Sequence, residues 1–328
     1  RVIKVENPHA GGDMTRHWKV PEEPEEQPVS AYYASINWGK EVRQLDLRDA
    51  QDRQIIYDLL PEVDVVITNY KPGSAQSLGM DEATLRQHNP RIIYGWITGF
   101  GPDDARTAYD VILQAESGLM AMNGTPDSGP VKVPIALIDV LAAHQLKEGL
   151  LVALLEREKT GNGSLVTTSL LDAALSSLIN QASNWLMAGH LPQRMGSEHP
   201  NIAPYGDLFT SGDGLPVVLA IGTDRQFTAL CDVLGQAELA HHPDFARNAQ
   251  RLMHRDDLRQ ALQPLIAAWN RKELLDRLLA QNVPAGAILT MKEVFETQRA
   301  QEMVLEEMQQ GVRTARVRSK AFTVESRA

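Results

Sequence analysis

The sequence contains one cysteine, Cys231, which excludes an intrachain disulfide and fits a reducing compartment, so a cytoplasmic location is expected. With no second thiol to pair or share a metal, Cys231 reads as a buried apolar side chain. Basic residues are in the minority: 32 Lys and Arg face 42 Asp and Glu, a net charge of -10. That balance argues against nucleic-acid binding, which needs basic surface to neutralise phosphates. An anionic ligand must find local positive charge against this global field. No apolar run approaches the roughly 18 residues of a membrane span, and the residues present carry no signal-peptide pattern. There is no G-x-S-x-G elbow, no Walker A loop, no H-E-x-x-H and no C-x-x-C, so serine hydrolase, P-loop and standard zinc chemistries lose their support. His241-His242-Pro243 is a poor metal site, because adjacent residues do not face one point on a helix or strand; no metal is expected.

What is present reads as an α/β fold. The chain is 43% hydrophobic and 23% charged, and its 328 residues can bury a large core without crosslinks. Val63 to Ile67 predicts a buried strand and Arg91 to Ile97 another. Helices are expected at Asp49 to Leu60 and Asp81 to Arg86. Strands alternating with helices indicate a parallel sheet. A long helix is expected over about Val140 to Glu158, with Leu141, Leu146, Leu150, Leu151, Leu154 and Leu155 on its apolar stripe and Gly161 as its cap. A second helix is expected over about Ser169 to Met187. Gly189 to Pro204, rich in Gly, Pro and His, is the best boundary. Beyond it Leu208 to Gly214 and Pro216 to Ile221 predict a hairpin, Met291 to Met308 a helix, and Gly311 to Arg318 an edge strand. Arg1 to Glu6 reads as a strand entered without a preceding turn, and a further N-terminal segment is the expectation.

Two loops and one carboxylate carry the chemical interest. Asp139 follows the apolar run Pro134 to Ile138 and opens the long helix. It reads either as an N-cap accepting backbone N–H bonds or as a covalent nucleophile, and the roles can coexist, since a helix N-terminus holds a carboxylate ionised. Asn69-Tyr70-Lys71-Pro72-Gly73 follows a strand and is either a plain turn or a ligand loop at the carboxyl end of a parallel sheet. Ile97 to Pro102 also follows a strand but lacks the dinucleotide fingerprint.

Taken together, Val2 to Pro8, Gly12 to Arg16, Asn37 with Lys40, Leu45-Asp46-Leu47, Asn69 to Gly73, Asn89 to Tyr94, Gly99-Phe100-Gly101, Tyr109-Asp110, Gln114-Ala115, Gly118-Leu119-Met120, Asp139, Thr160 to Gly163, Ser169 to Ala173, Arg194-Met195-Gly196, His199-Pro200 and Pro204-Tyr205 stand in an order that resembles the class III CoA-transferases. That family includes formyl-CoA and carnitine CoA-transferases. The resemblance implies a Rossmann-like parallel-sheet large domain, a smaller inserted α+β domain and an interlocked homodimer. It implies domains at 1–190, a linker at 191–204, a small domain at 205–290, and a segment at 291–328 returning to the large domain. The implied activity moves CoA from an acyl-CoA donor to a small carboxylic or dicarboxylic acid, with Asp139 as nucleophile and Gly196 on the loop that receives oxyanions. CoA is then a substrate, with no permanently bound cofactor. Leu45 matches a position that packs on adenine and Arg48 one where a cation meets the phosphates. Asn69, Tyr70 and Lys71 match the loop against the nucleotide and pantetheine arm. Arg106 stands beside Thr107, where relatives carry a lysine; Ser77 and Trp38 also replace commonly basic residues. Trp18, Tyr109 and Asp110 fall at the acyl pocket, and a packing role for Trp18 is equally open.

Two other activities fit the same fold. An α-methylacyl-CoA racemase needs a histidine in a Gly-His-Asp run, where this chain reads Ala108-Tyr109-Asp110, and a tyrosine with a reference pKa of about 10 is a poor base. A CoA-binding paralogue without turnover is the third reading.

Overall fold

The computed structural model describes residues 1–325, so the end of the expected 291–328 segment, 326–328, lies outside the described residues. Ten strands follow in chain order: β1 (Ile3–Glu6), β2 (Glu41–Gln44), β3 (Val65–Thr68), β4 (Ile93–Thr98), β5 (Leu165–Ser169), β6 (Tyr205–Thr210), β7 (Pro216–Ala220), β8 (Ala285–Ala287), β9 (Val304–Gln309) and β10 (Val312–Val317). The chain divides into two compact units. The first holds residues 1–98, 146–167 and the segment from 290 on; the second holds 99–145 and 168–289.

In the first unit β1 pairs parallel with β2, Ile3 opposite Glu41, and β3 pairs parallel with β4, Val65 opposite Ile93. β5 completes the order β3-β4-β5. The parallel α/β architecture expected from alternating strands and helices is therefore present. Leu60, Met80, Leu85, Ile92 and Tyr94 form a buried cluster on one face of this sheet, with Val66 packed against it. Side chains alternate along a strand, so Ile67 turns to the other face, where it is 58% exposed. The expectation of a wholly buried strand at 63–67 is corrected to an edge strand covered on one side. On that second face the long helix comes close: a methyl at Gly95 would lie 3.3 Å from Leu146.

That helix spans Leu137–Thr160 and ends as expected, with Gly161 at φ +75° donating its N–H to Arg157 O at 2.8 Å. Its apolar stripe is only partly covered. Leu146 is buried, whereas Leu151 and Leu155 are exposed. The expected helix over 169–187 is broken into Leu170–Ser176 and Ile179–Ala188. The hydroxyls of Ser176 and Ser177 donate back to Ala173 O at 3.0 and 2.7 Å, competing with the helical ladder. Ile179 then takes φ +43°, a left-handed value that a β-branched residue rarely adopts.

The expected helix over 291–308 is also corrected. Met291–Phe295 and Gln298–Gln301 are short helices, and β9 then forms an antiparallel hairpin with β10, Val304 opposite Val317. Gln310 and Gly311, both at positive φ, make its turn. Strand pairing outweighs the helix propensity of Leu305 to Met308. β10 matches the expected edge strand.

In the second unit β6, β7 and β8 form an antiparallel sheet, which includes the expected hairpin. Phe209, Leu219, Ile221, Phe227, Leu230, Cys231, Leu258, Leu262, Leu274 and Leu278 pack as its core. Burial pushes the Cys231 thiol up to about 12, which keeps it an inert apolar group.

Candidate active site

Asp139 lies in the first turn of the helix Leu137–Thr160, inside it rather than at its cap. The capping reading is thus corrected: another residue does that work. Asp110, first residue of the helix Asp110–Glu116, accepts the Ile138 N–H on Oδ2 at 2.6 Å. Its Oδ1 accepts from Gln114 Nε2 at 2.5 Å. Gln114 is wholly buried and also accepts the Val133 N–H at 2.8 Å. Asp110 and Gln114 therefore anchor the apolar run and the helix start together, while Leu113, Ile138 and Ala174 pack behind them.

This leaves the Asp139 carboxylate uncommitted. Among the described residues it accepts no hydrogen bond and pairs with no cation. It reaches solvent, yet protein crowds it closely enough for desolvation to push its pKa up, and the Asp110 charge pushes it further. A carboxylate so placed is more basic than usual and carries no bond that must break before it attacks. Asp110→Asn removes the second of these effects. The acid limb of the pH–rate profile should then move to lower pH, because Asp139 stays ionised further down; an unmoved or raised limb would contradict the coupling.

Gly196 stands on a loop held at several points. Its N–H donates to Gly124 O at 2.8 Å, so this amide is already engaged and is a poor choice as an oxyanion donor. The Ser197 hydroxyl donates to Gly206 O at 2.5 Å, and Gly206 can carry no side chain because a methyl there would sit 1.8 Å from Ser197 O. Asn248 accepts the Ala203 N–H at 3.1 Å and donates to Asn201 O at 2.9 Å. Beside the loop lies a cavity of about 310 Å³, bordered by Gly196, Asn180, Gln181, Gln193 and Glu198, with Leu119 on its apolar side. Leu119 also packs on the cluster that holds Ile138. Gln181 Oε1 is buried without a partner there. The strained Ile179 is on the same rim. Local sequence gave no signal for Gln181 or Ile179; Gln114 and Asp110 were visible only as a motif, not as a clamp.

Of the other expected site residues, Tyr109 is exposed and immediately precedes Asp110. Arg106 is spent: it pairs with Asp104 at 2.9 Å and Glu116 at 3.0 Å and stacks on Phe100, 3.6 Å from the ring centre. It also lies in the second unit, apart in the chain from the remaining candidates for CoA binding. Those candidates sit at carboxyl ends of parallel strands in the first unit. Leu45 is buried just after β2, and Arg48 is exposed with a guanidinium that no described carboxylate pairs. Asn69 and Lys71 are exposed just after β3, and burial pushes the Tyr70 pKa up. Leu47 and Tyr70 pack on one cluster, which draws the two loops to one side of the unit. Trp18 stacks edge-on to Tyr32 at 5.0 Å. Gly12 to Arg16 folds around a buried ion pair, Arg16 Nε to Glu6 Oε2 at 3.1 Å, closed by Tyr33 donating to Glu6 at 2.9 Å.

CoA-transferase family III matches residues 1–327. The chain belongs to that family. It is 37% identical over 300 residues to a succinate–glutarate CoA-transferase of Agrobacterium fabrum, covering 90% of this chain and 74% of the relative. It is 36% identical to an acetyl-CoA:oxalate CoA-transferase of Acetobacter aceti, covering 89% and 75%. Among solved structures, a CAIB/BAIF family protein from Brucella suis aligns with a TM-score of 0.82 at 36% identity, over 99% of this chain and 85% of that one. Rv3272 from Mycobacterium tuberculosis aligns at 0.83 with 27% identity, over 100% and 86%. Family III membership makes this chain a CoA-transferase that takes CoA thioesters as substrates. Among the described residues no helix is long and apolar enough to cross a membrane.

Proposed function

We propose that this family III chain transfers CoA between an acyl-CoA and a dicarboxylic acid through covalent intermediates on Asp139. The supporting observation is that Asp110 takes over the cap and leaves the Asp139 carboxylate unbonded, with a raised pKa. Asp139 Oδ attacks the thioester carbonyl and expels CoA thiolate, giving a mixed anhydride. The thiolate attacks the Asp139 carbonyl carbon, releases the donor carboxylate and leaves an aspartyl-CoA thioester. The acceptor carboxylate then displaces the thiolate to form a second anhydride. Thiolate attack on the acceptor side restores Asp139. Every step exchanges one activated acyl group for another and no proton moves.

The loops at Leu45 to Arg48 and Asn69 to Lys71 would hold CoA, with Arg48 available to the phosphates. Arg106 would serve only if it left its two carboxylates. The cavity beside Gly196 would take the acceptor, and the relatives' names point to succinate, glutarate or oxalate. The division into 1–190, 191–204, 205–290 and 291–328 is kept as a proposal; the second unit's core, Phe209 to Val283, falls within 205–290. An interlocked homodimer is supported by large apolar side chains left open to solvent, Leu186 at 79% and Met187 at 87% among them. Sedimentation should then report a dimer. The test of function is a screen of succinyl-, acetyl- and oxalyl-CoA against succinate, glutarate and oxalate. Transfer to at least one acid is expected, and hydroxylamine added together with the acyl-CoA should convert Asp139 to its hydroxamate, with release of CoA. Hydrolysis or α-proton exchange without trapping would refute it.

A further inference from the structure

We propose that Arg259 is a specificity residue: with Arg255 it balances the charge of Glu198 and Asp207 at the wall of the cavity beside Gly196, so that an anionic acceptor can enter. The inference rests on the reading of that cavity as the acceptor site. Among the residues lining the cavity, Glu198 alone is ionisable; the polar remainder are the amides of Asn123, Asn180, Gln181 and Gln193 and the Ser177 hydroxyl. A bare carboxylate among neutral amides would repel a second carboxylate. Both Glu198 oxygens are instead covered. Oε2 accepts from Arg255 Nη1 at 2.9 Å, and Oε1 accepts from Arg259 Nη2.

The two arginines are not equivalent. Arg255 is buried, and its Nη2 also donates to His199 O and Ile202 O, both at 2.6 Å, which ties it to the shape of the loop. Arg259 is 38% exposed and donates to no backbone carbonyl in the loop. Its other neighbours are Asp207 Oδ1 at 3.9 Å and the exposed Asp256 at 3.6 Å. Arg259 can therefore be altered without dismantling the loop, and what it supplies to the cavity is charge.

Arg259→Gln should weaken glutarate binding by about tenfold, since it leaves Arg255 alone against the two carboxylates Glu198 and Asp207, a net negative charge beside the site. The acyl-CoA KM should stay within about twofold, and binding of glutaramide, the uncharged diamide, should not change. Adding Glu198→Gln to the same chain should recover most of the lost glutarate affinity, because the charge that Arg259 masked is then gone. If the double variant is as weak as Arg259→Gln, or if glutaramide weakens equally, the role is structural and the proposal fails. If wild-type protein transfers CoA to no dicarboxylate, the functional reading fails and the inference with it. Wild-type transfer combined with an additive pair overturns this inference alone.

Discussion

Asp139→Asn should reduce CoA transfer by about four orders of magnitude or more, as removal of a covalent nucleophile does elsewhere. Binding of acyl-CoA should survive, because the loops proposed to hold it belong to other elements. The helix start should survive as well, since Asp110, not Asp139, accepts the Ile138 N–H. Stability supplies a second, independent readout. Desolvation raises the folded-state pKa of Asp139, and the Asp110 charge adds to it. A carboxyl with a raised folded pKa favours folding while protonated and loses that benefit as pH rises through the folded value. At neutral pH the ionised Asp139 is thus a burden, and the neutral Asn variant should melt no lower than wild type and preferably higher. A residue that served mainly as a cap would behave in the opposite way, losing about 1 kcal/mol on replacement by Ala. Loss of activity together with unchanged or higher melting temperature is the signature of a nucleophile. Transfer at a wild-type rate would remove Asp139 from the mechanism.

Arg251→Ala should destabilise the second unit by about 3–5 kcal/mol. Arg251 is 0% exposed, and its Nε and Nη1 donate to Ala203 O at 2.7 Å and Phe245 O at 2.8 Å. Nη2 donates to Asp224 Oδ1 at 2.8 Å, and the guanidinium lies 4.6 Å from the Phe227 ring centre. Asp224 is partly exposed and can rehydrate when its partner leaves. The two carbonyls have no such recourse, and a cavity opens beside Phe227, so most of the cost falls there. Burial opposes ionisation of Asp224, but its hydrogen bond and charge contact with Arg251, helped by Arg247, hold its pKa below the usual aspartate range. The pair's contribution is therefore present above the unfolded aspartate pKa and lost as pH falls through the lower folded value. Urea midpoints measured across that window should draw closer between variant and wild type as pH drops, without meeting, because the carbonyl and cavity costs do not titrate. A variant within about 0.5 kcal/mol of wild type at neutral pH would show that the buried guanidinium carries no net stabilisation.

The elements read most accurately from sequence were those governed by local chemistry. The stop of the long helix at Gly161 needed only a residue able to adopt positive φ, and the hairpin at Ser211 to Leu215 only alternation and turn residues. The elements misread were those in which the backbone had two nearby ways to satisfy its hydrogen bonds and composition favoured the one not taken. Leu305 to Met308 has helical composition but pairs with Thr314 and its neighbours as a strand. The break at Ser177 depends on hydroxyls that found Ala173 O, a local choice that composition alone does not force. In the candidate site, Asp139 and the loops after β2 and β3 were legible as motifs in order. Gln181, on the rim of a cavity, was not.

By itself the sequence determined the class of chemistry: a single thiol, no standard metal or phosphate motif, parallel α/β periodicity and an ordered set of short motifs spread along the whole chain. Only the tertiary structure decided what Asp139 is free to do. From position alone a carboxylate at a helix start caps it, since the nearest unsatisfied N–H groups are its own. Here Asp110, 28 residues upstream of Ile138, takes the Ile138 N–H, and Asp139 accepts none. A hydrogen bond goes to the acceptor that the fold brings within about 3 Å, whatever its distance along the chain, and that is what leaves Asp139 available for covalent chemistry.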